Sequence, residues 1–151
     1  MMKLDLNEIL DYQKNRPPYL MIDCAEKVIP GKSSSGYKYF KEDEWFFEVH
    51  WKNDPNVPGM LQMEALTQMA SLSILTIDGN KGKVMYLVSA DKLKFLKKIT
   101  PKSKFVIETS VISYKRGLGK FLAYGSVNDE KVCSAEFTMV LPDELKKYNL
   151  K

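Results

Sequence analysis

Residues 60–77 read MLQMEALTQMASLSILTI. The stretch is rich in good helix formers, has no internal glycine or proline, and turns apolar residues to nearly every side. Such a helix needs cover all round, so it predicts one long, central, buried helix. Gln62, Glu64, Thr67, Gln68, Ser71 and Ser73 make it too polar for a membrane span. After the Asp78-Gly79-Asn80 break the chain turns strand-like, in VMYLVSADKLKFL, KFVIETSVISYK, GKFLAYGSV and KVCSAEFTMVL. Lys115-Arg116-Gly117-Leu118-Gly119 and Asn128-Asp129-Glu130 separate successive strands, which predicts an antiparallel meander. Upstream, YLMIDCAEKVIPG and SSSGYKYFK read as two strands joined through Pro30-Gly31, after a short opening helix in LDLNEILDYQ. Lys41 to Pro58 has little period and reads as the longest irregular loop. The expected class is α+β: an antiparallel sheet of about six strands wrapped around one long central helix, in a single domain over residues 1–151.

The 151 residues suffice for a real core, and 44% apolar with 28% charged residues marks a globular chain. A net charge of +4 is too mild to argue for nucleic acid, and it suits an acidic protein partner or an anionic substrate. The opening MMKLDLNEIL lacks the apolar run of a secretory signal, so a cytoplasmic location is expected. Cys24 and Cys133 fit neither a metal-ligand spacing nor a disulfide framework and read as ordinary buried thiols.

Chemistry concentrates in HWKNDPNVPGMLQME, residues 50–64, which opens with the chain's only histidine. Glu64 lies one turn into the apolar helix, with Gln68 at i+4 on the same side. Burial would keep its carboxyl protonated and able to donate; the alternative is a core polar group held by Gln68 and a strand. Pro58-Gly59 opens the helix, whose first N–H groups lack partners and form a cradle for an oxyanion, unless the pair merely makes a turn. His50, flanked by aromatics, is either a base or a packed residue.

Taken in order, these segments resemble the (3R)-hydroxyacyl-[acyl-carrier-protein] dehydratases of the FabZ type, which have the hot-dog fold. Arg16-Pro17-Pro18-Tyr19-Leu20-Met21-Ile22-Asp23 resembles the family's H-R-Y-P-F-L-L-V-D. Phe47-Glu48-Val49-His50-Trp51 is similar to F-x-G-H-F, and Pro55 to Leu61 to P-x-x-P-G-V-L. Glu64-Ala65-Leu66-Thr67-Gln68 resembles E-A-M-A-Q, at the family's 14-residue step from His50. Tyr114-Lys115-Arg116-Gly117-Leu118 with Lys120-Phe121 resembles the R-R-G-x-x-x-F hairpin. The resemblance implies dehydration of 3-hydroxyacyl thioesters to trans-2-enoyl thioesters, with His50 and Glu64 as the catalytic pair. Gly59 would offer a main-chain donor to the thioester carbonyl, and Met60, Val49 and Gln68 would line the substrate. It implies no metal and no cofactor beyond the phosphopantetheine arm of acyl carrier protein. The family's sites lie in homodimers, each drawing histidine from one chain and glutamate from the other, often as trimers of dimers. Arg116 and Lys97 are the candidates for docking the acidic carrier.

Four residues depart from the pattern. Val49 replaces the glycine before the histidine, Lys52 stands at a proline, Gln62 replaces an apolar helix residue, and Cys24 replaces an arginine. Such changes threaten substrate identity and efficiency more than fold, as small misplacements at a reacting group are costly. Two other functions share the scaffold. A hot-dog thioesterase needs the helix carboxylate but not this histidine, and a non-catalytic member binds acyl chains or the carrier without turnover.

Overall fold

A computed structural model of the protein describes residues 1–148. Helix α3, Gly59–Leu75, is the long helix, and from Leu61 to Leu75 every side chain is buried except Glu64. Its apolar surround is met by a curved antiparallel sheet and by α1 (Leu6–Tyr12). The strands are β1 (Met2–Leu4), β2 (Cys24–Ile29), β3 (Ser33–Phe40), β4 (Tyr86–Phe95), β5 (Ser103–Lys115), β6 (Leu118–Val127) and β7 (Glu130–Val140), in spatial order β1-β2-β3-β5-β6-β7-β4. This is the sheet wrapped around a helix that the hot-dog resemblance implied. It has seven strands rather than about six, the seventh being three-residue β1, too short to carry a period.

The expected meander holds for β5, β6 and β7, whose hairpins turn through Arg116-Gly117 and Asn128-Asp129, all at positive φ. β4 does not join at its sequence neighbour β5. It crosses to the far edge and pairs with β7, while β3 pairs directly with β5. On its other side β3 lies close to β2, and Gly36 permits this, because a side-chain carbon there would lie 2.0 Å from the Cys24 carbonyl oxygen. The core joins α3 to five phenylalanines: Phe40 stacks on Phe105 at 5.9 Å, Phe121 on Phe137 at 5.5 Å, and Phe46 meets Phe40 edge-on at 5.9 Å.

Phe46 lies on α2, Trp45–His50, a helix in the segment read above as loop. Six residues rich in aromatics give neither a helical period nor strong propensity, and burial of Phe46 and Phe47 holds the turn. Opposite in character is β4. All its residues but Leu93 are exposed, including Tyr86, Leu87, Val88 and Phe95, and it has a strand neighbour on one side only. Its ten residues leave one edge without a strand partner.

Of the two thiols only Cys133 is fully buried, whereas Cys24 is half-buried, contrary to the expectation of two buried thiols. Burial pushes the Cys133 thiol from 9.0 up to about 12, slightly opposed by a Gly125 backbone hydrogen bond. Between these pH values the unfolded chain releases a proton that the folded chain keeps, so stability falls as pH rises through this window. At pH 8.5 iodoacetamide is expected to modify Cys24 and to reach Cys133 only at the global unfolding rate. Equal labelling rates for the two thiols in the folded protein would refute this ordering.

Candidate active site

The loop after α2 is tied down by its own backbone. Asp54 N–H donates to the Trp51 carbonyl at 3.0 Å, and Val57 N–H donates to the Ile99 carbonyl at 2.8 Å. Asn56 is buried, and its Nδ2 donates to the Asp54 carbonyl at 2.7 Å. These bonds aim the Asn56 carbonyl at His50, whose Nδ1 lies 3.2 Å from it. A carbonyl only accepts, so Nδ1 carries a proton, and in the uncharged tautomer that this selects the lone pair sits on Nε2. Half-buried His50 stacks on Trp51 with centroids 4.5 Å apart and planes inclined by 13°. The imidazole is therefore fixed in orientation and tautomer, with one nitrogen available as a base.

Glu64 is half-buried, not enclosed as the apolar helix suggested. Gln68 Nε2 donates to its Oε1 at 2.8 Å and also to the Tyr19 carbonyl at 2.9 Å, while Gln68 Oε1 accepts from Met21 N–H at 2.7 Å. One amide thus fixes the carboxylate and pins the Tyr19–Met21 segment to the helix. The Tyr19 hydroxyl is made less acidic, first by partial burial and then by the negative charge of Glu64, so it stays a neutral phenol beside the carboxylate.

Pro58 supplies no side-chain cap to α3. The Gly59 and Met60 N–H groups precede any helical acceptor and are set to receive an oxygen. Gln62, one of the departures, is buried and donates from Nε2 to the Val57 carbonyl at 3.1 Å, bracing the loop just before the helix. The need for glycine at 59 has a steric cause that the sequence hid. A side-chain carbon there would lie 2.8 Å from Cε2 of Phe95, the last residue of β4. Phe95 is half-exposed and able to swing away. Gly59→Ala is therefore expected to cost about 1 kcal/mol, the low end of overpacking, and Phe95→Leu to restore that loss in the double variant. Thermal denaturation of the four proteins measures the coupling; additive effects would refute it.

A cavity of about 270 Å³ opens beside Glu64. Glu64, Thr67, Gln68, Ser71 and Leu75 of α3 form one side, faced by Gln13–Asn15, the start of β4 and Met139. His50, Val49, Gly59 and Met60 do not line it. Val49 is 73% exposed and Met60 65% exposed, so neither is covered by its own chain. A second opening of about 310 Å³ shares Lys14, Lys83, Val84 and Tyr86 with the first and adds Lys81 and Lys146. The two docking candidates do not share a surface. Arg116, its guanidinium 5.3 Å from the Tyr148 ring centre, lies at the end of β6 that holds Lys146. Lys97 ion-pairs with Glu130 at the other end, about 30 Å away along a ten-residue strand. Gln13, Tyr19 and the Asn56 carbonyl were not singled out as site groups by sequence reasoning; the polar Gln13 just after α1 was the one visible sign.

Among the described residues no cluster of His, Cys, Asp and Glu suited to a metal ion occurs, and no helix is long and apolar enough to cross a membrane. The FabA-like domain model matches residues 14–136. The chain is 36% identical over 137 residues to the 3-hydroxyacyl-[acyl-carrier-protein] dehydratase FabZ of Clostridium novyi, covering 89% of this chain and 95% of that one. To the FabZ of Lactobacillus helveticus it is 35% identical over 144 residues, covering 95% and 97%. Among solved structures, the dehydratase heterocomplex ApeI:P of Xenorhabdus doucetiae aligns with a TM-score of 0.75 at 14% identity, over 95% of this chain and 97% of that one. A hypothetical thioesterase protein of Streptococcus pneumoniae, solved with coenzyme A, aligns with a TM-score of 0.59 at 14% identity, over 78% and 83%. Those two likenesses speak for the hot-dog fold; the sequence relationships over nearly the whole length go further, and the chain belongs to the FabA-like family.

Proposed function

We propose that the protein dehydrates 3-hydroxyacyl groups carried on acyl carrier protein, with His50 as base and Glu64 as acid. The observation that carries the assignment is the His50 Nδ1 hydrogen bond to the Asn56 carbonyl, which leaves Nε2 free to accept a proton. Nε2 takes a proton from C2 of the thioester, and the Gly59 and Met60 N–H groups hold the charge gathering on the carbonyl oxygen. Glu64 enters this step in its protonated form, and the C3–O bond breaks as that proton passes to the departing hydroxyl. Water leaves, the C2–C3 double bond forms, and the proton on His50 returns to Glu64 before the next turnover.

The site is shared between two chains. Supporting this, the Glu64 cavity has no His50 in its lining, and Val49, Trp51, Met60 and Phe95 leave an apolar surface uncovered near the base. Pairing of β4 with a twofold-related β4 would cover the open edge and make one sheet of two. Dimers of this kind are the unit from which a trimer of dimers would be built. The protein works in the cytoplasm, needs no metal, and receives its substrate on the carrier's phosphopantetheine arm. The acidic carrier docks at the Arg116 end, where the Glu64 cavity opens among Lys14, Lys83 and, next door, Lys81 and Lys146. Lys97, ion-paired with Glu130, lies at the other end of β6 and outside this surface.

The decisive assay follows the absorbance of the enoyl thioester from a 3-hydroxybutyryl substrate, alongside release of free thiol. Enoyl product from wild type and its loss in both His50→Ala and Glu64→Gln supports the assignment. Thiol release that survives His50→Ala but not Glu64→Gln would make the protein a thioesterase instead, and saturable binding of acylated carrier with neither product would make it a non-catalytic binder.

A further inference from the structure

β3 turns Ser34, Gly36, Lys38 and Phe40 to one side of the sheet, the period-two row that faces the core. Lys38 is the one charged residue of the strand, and it stands in that row with its side chain only 14% exposed. Two carboxylates meet its ammonium: Asp23 Oδ1 at 2.9 Å and Glu44 Oε1 at 3.8 Å, their side chains 32% and 17% exposed. Asp23 is fixed from a second direction, because its Oδ2 accepts from Tyr39 N–H at 2.7 Å. The mechanism above uses none of the three. A largely buried charge cluster gains little stability over apolar side chains of the same volume, and its best-attested use is to set register. Lysine in a core row breaks the local pattern, and such breaks collect at functional places.

What the cluster holds together is the two halves of the catalytic machinery. On one side, Asp23 follows the Tyr19–Met21 segment that Gln68 ties to α3 beside Glu64. On the other, Glu44 is the residue before α2, and His50 ends that helix about 9 Å further on. α2 has six residues and no side-chain hydrogen bond at its start, so it depends on contacts from elsewhere. β3 supplies two of them from one face. Phe40 meets Phe46 edge-on and buries the helix, while Lys38 meets Glu44 and fixes where along β3 the helix begins.

We infer that Lys38 is a positioning residue for the dehydration: by joining Asp23 to Glu44 it sets the start of α2, and through α2 the place and orientation of the His50 ring. The inference rests on the dehydratase reading and adds to it a residue that never touches substrate. The His50 Nδ1 bond to the Asn56 carbonyl forms only with the ring where α2 leaves it. A misplacement of about 1 Å is enough to cost on the order of 100-fold in rate.

His50 is the only histidine, so its ring gives the only imidazole signals in an NMR spectrum of histidine nitrogens. In wild type the uncharged ring is expected as one tautomer, protonated at Nδ1. Lys38→Met keeps the aliphatic stem and removes the charge. It is expected to show both tautomers and to lose roughly 10- to 100-fold in kcat with KM unchanged. Glu44→Gln is the gentler substitution, because Lys38 and Asp23 stay paired and no lone charge is left in the fold. At 3.8 Å the Glu44 contact is one of charge rather than a hydrogen bond, so the amide removes it, and tautomer and kcat are expected to move in the same direction. A lower melting temperature with the wild-type tautomer and the wild-type kcat per folded molecule overturns the inference and leaves Lys38 as a brace. Wild-type behaviour of Glu44→Gln does the same even if Lys38→Met does not fold. If wild type yields no enoyl product, the dehydratase reading falls, and the imidazole signals of the variants still judge the hold of Lys38 on His50.

Discussion

Mixing His50→Ala chains with Glu64→Gln chains is expected to restore about a quarter of the wild-type dehydration rate, although each variant alone loses roughly 100- to 10,000-fold, the range for a general acid or base. The arithmetic follows from twofold symmetry. In a mixed dimer one site receives both substitutions and is dead, while the other joins an intact His50 to an intact Glu64. Random re-association makes half the dimers mixed, each with one working site of two. An intrachain site gives a different outcome, since every chain then carries one defect and mixing restores nothing. The experiment needs only unfolding and refolding of the two variants together, with each refolded alone as control. Recovery would also give the open edge of β4 and the uncovered Val49, Trp51 and Met60 a reason to be exposed in the single chain. No recovery, with dimers present and both single variants inactive, would sink the shared site while leaving the chemistry of His50 and Glu64 intact.

Much of this was legible in residues 50–77. A helix that is apolar all round admits few architectures, and the strands after Asn80 carry a period that turn chemistry cuts into a meander. What sequence did not show has physical causes. β4 and β5 are neighbours along the chain, and nothing in their residues says that β4 prefers the edge beyond β7, with β6 and β7 between the two. The short α2 carries no period, so its aromatics read as loop, and it forms because Phe46 and Phe47 find the core. Glu64 was expected to be enclosed, yet it is the one α3 side chain from Leu61 onward that escapes burial, because the helix turns it toward a cavity. Gly59 was legible as special, but its steric reason is the ring of Phe95, more than thirty positions away. Sequence separation also hid Gln13, whose partners lie on α3 at separations of 55 and 58 residues.

Gln68→Leu is expected to be the most damaging single substitution to stability in the site, at about 3 kcal/mol and on the order of 10 °C in Tm. The argument is one of orphaned groups. Leucine is similar in size, so little cavity opens, but the Met21 N–H and the Tyr19 carbonyl lose their partner together. Met21 is 1% exposed, and water cannot replace the amide there. Each unpaired backbone group costs about 1–3 kcal/mol, far more than the net worth of a satisfied bond. Activity is expected to fall by more than the loss of folded protein explains, because Glu64 also loses the donor that orients it. Gln68→Glu separates the two effects through pH. An ionised carboxylate keeps the bond from Met21 N–H but faces the Tyr19 carbonyl and the Glu64 carboxylate with lone pairs alone. Protonation supplies one O–H, so this variant is expected to gain stability relative to wild type as pH falls through the carboxylate range. Denaturation followed from pH 8 to pH 4 reads that crossing directly. A Gln68→Glu curve parallel to wild type across that range would mean that the amide's donors are not what holds the Tyr19–Met21 segment to α3.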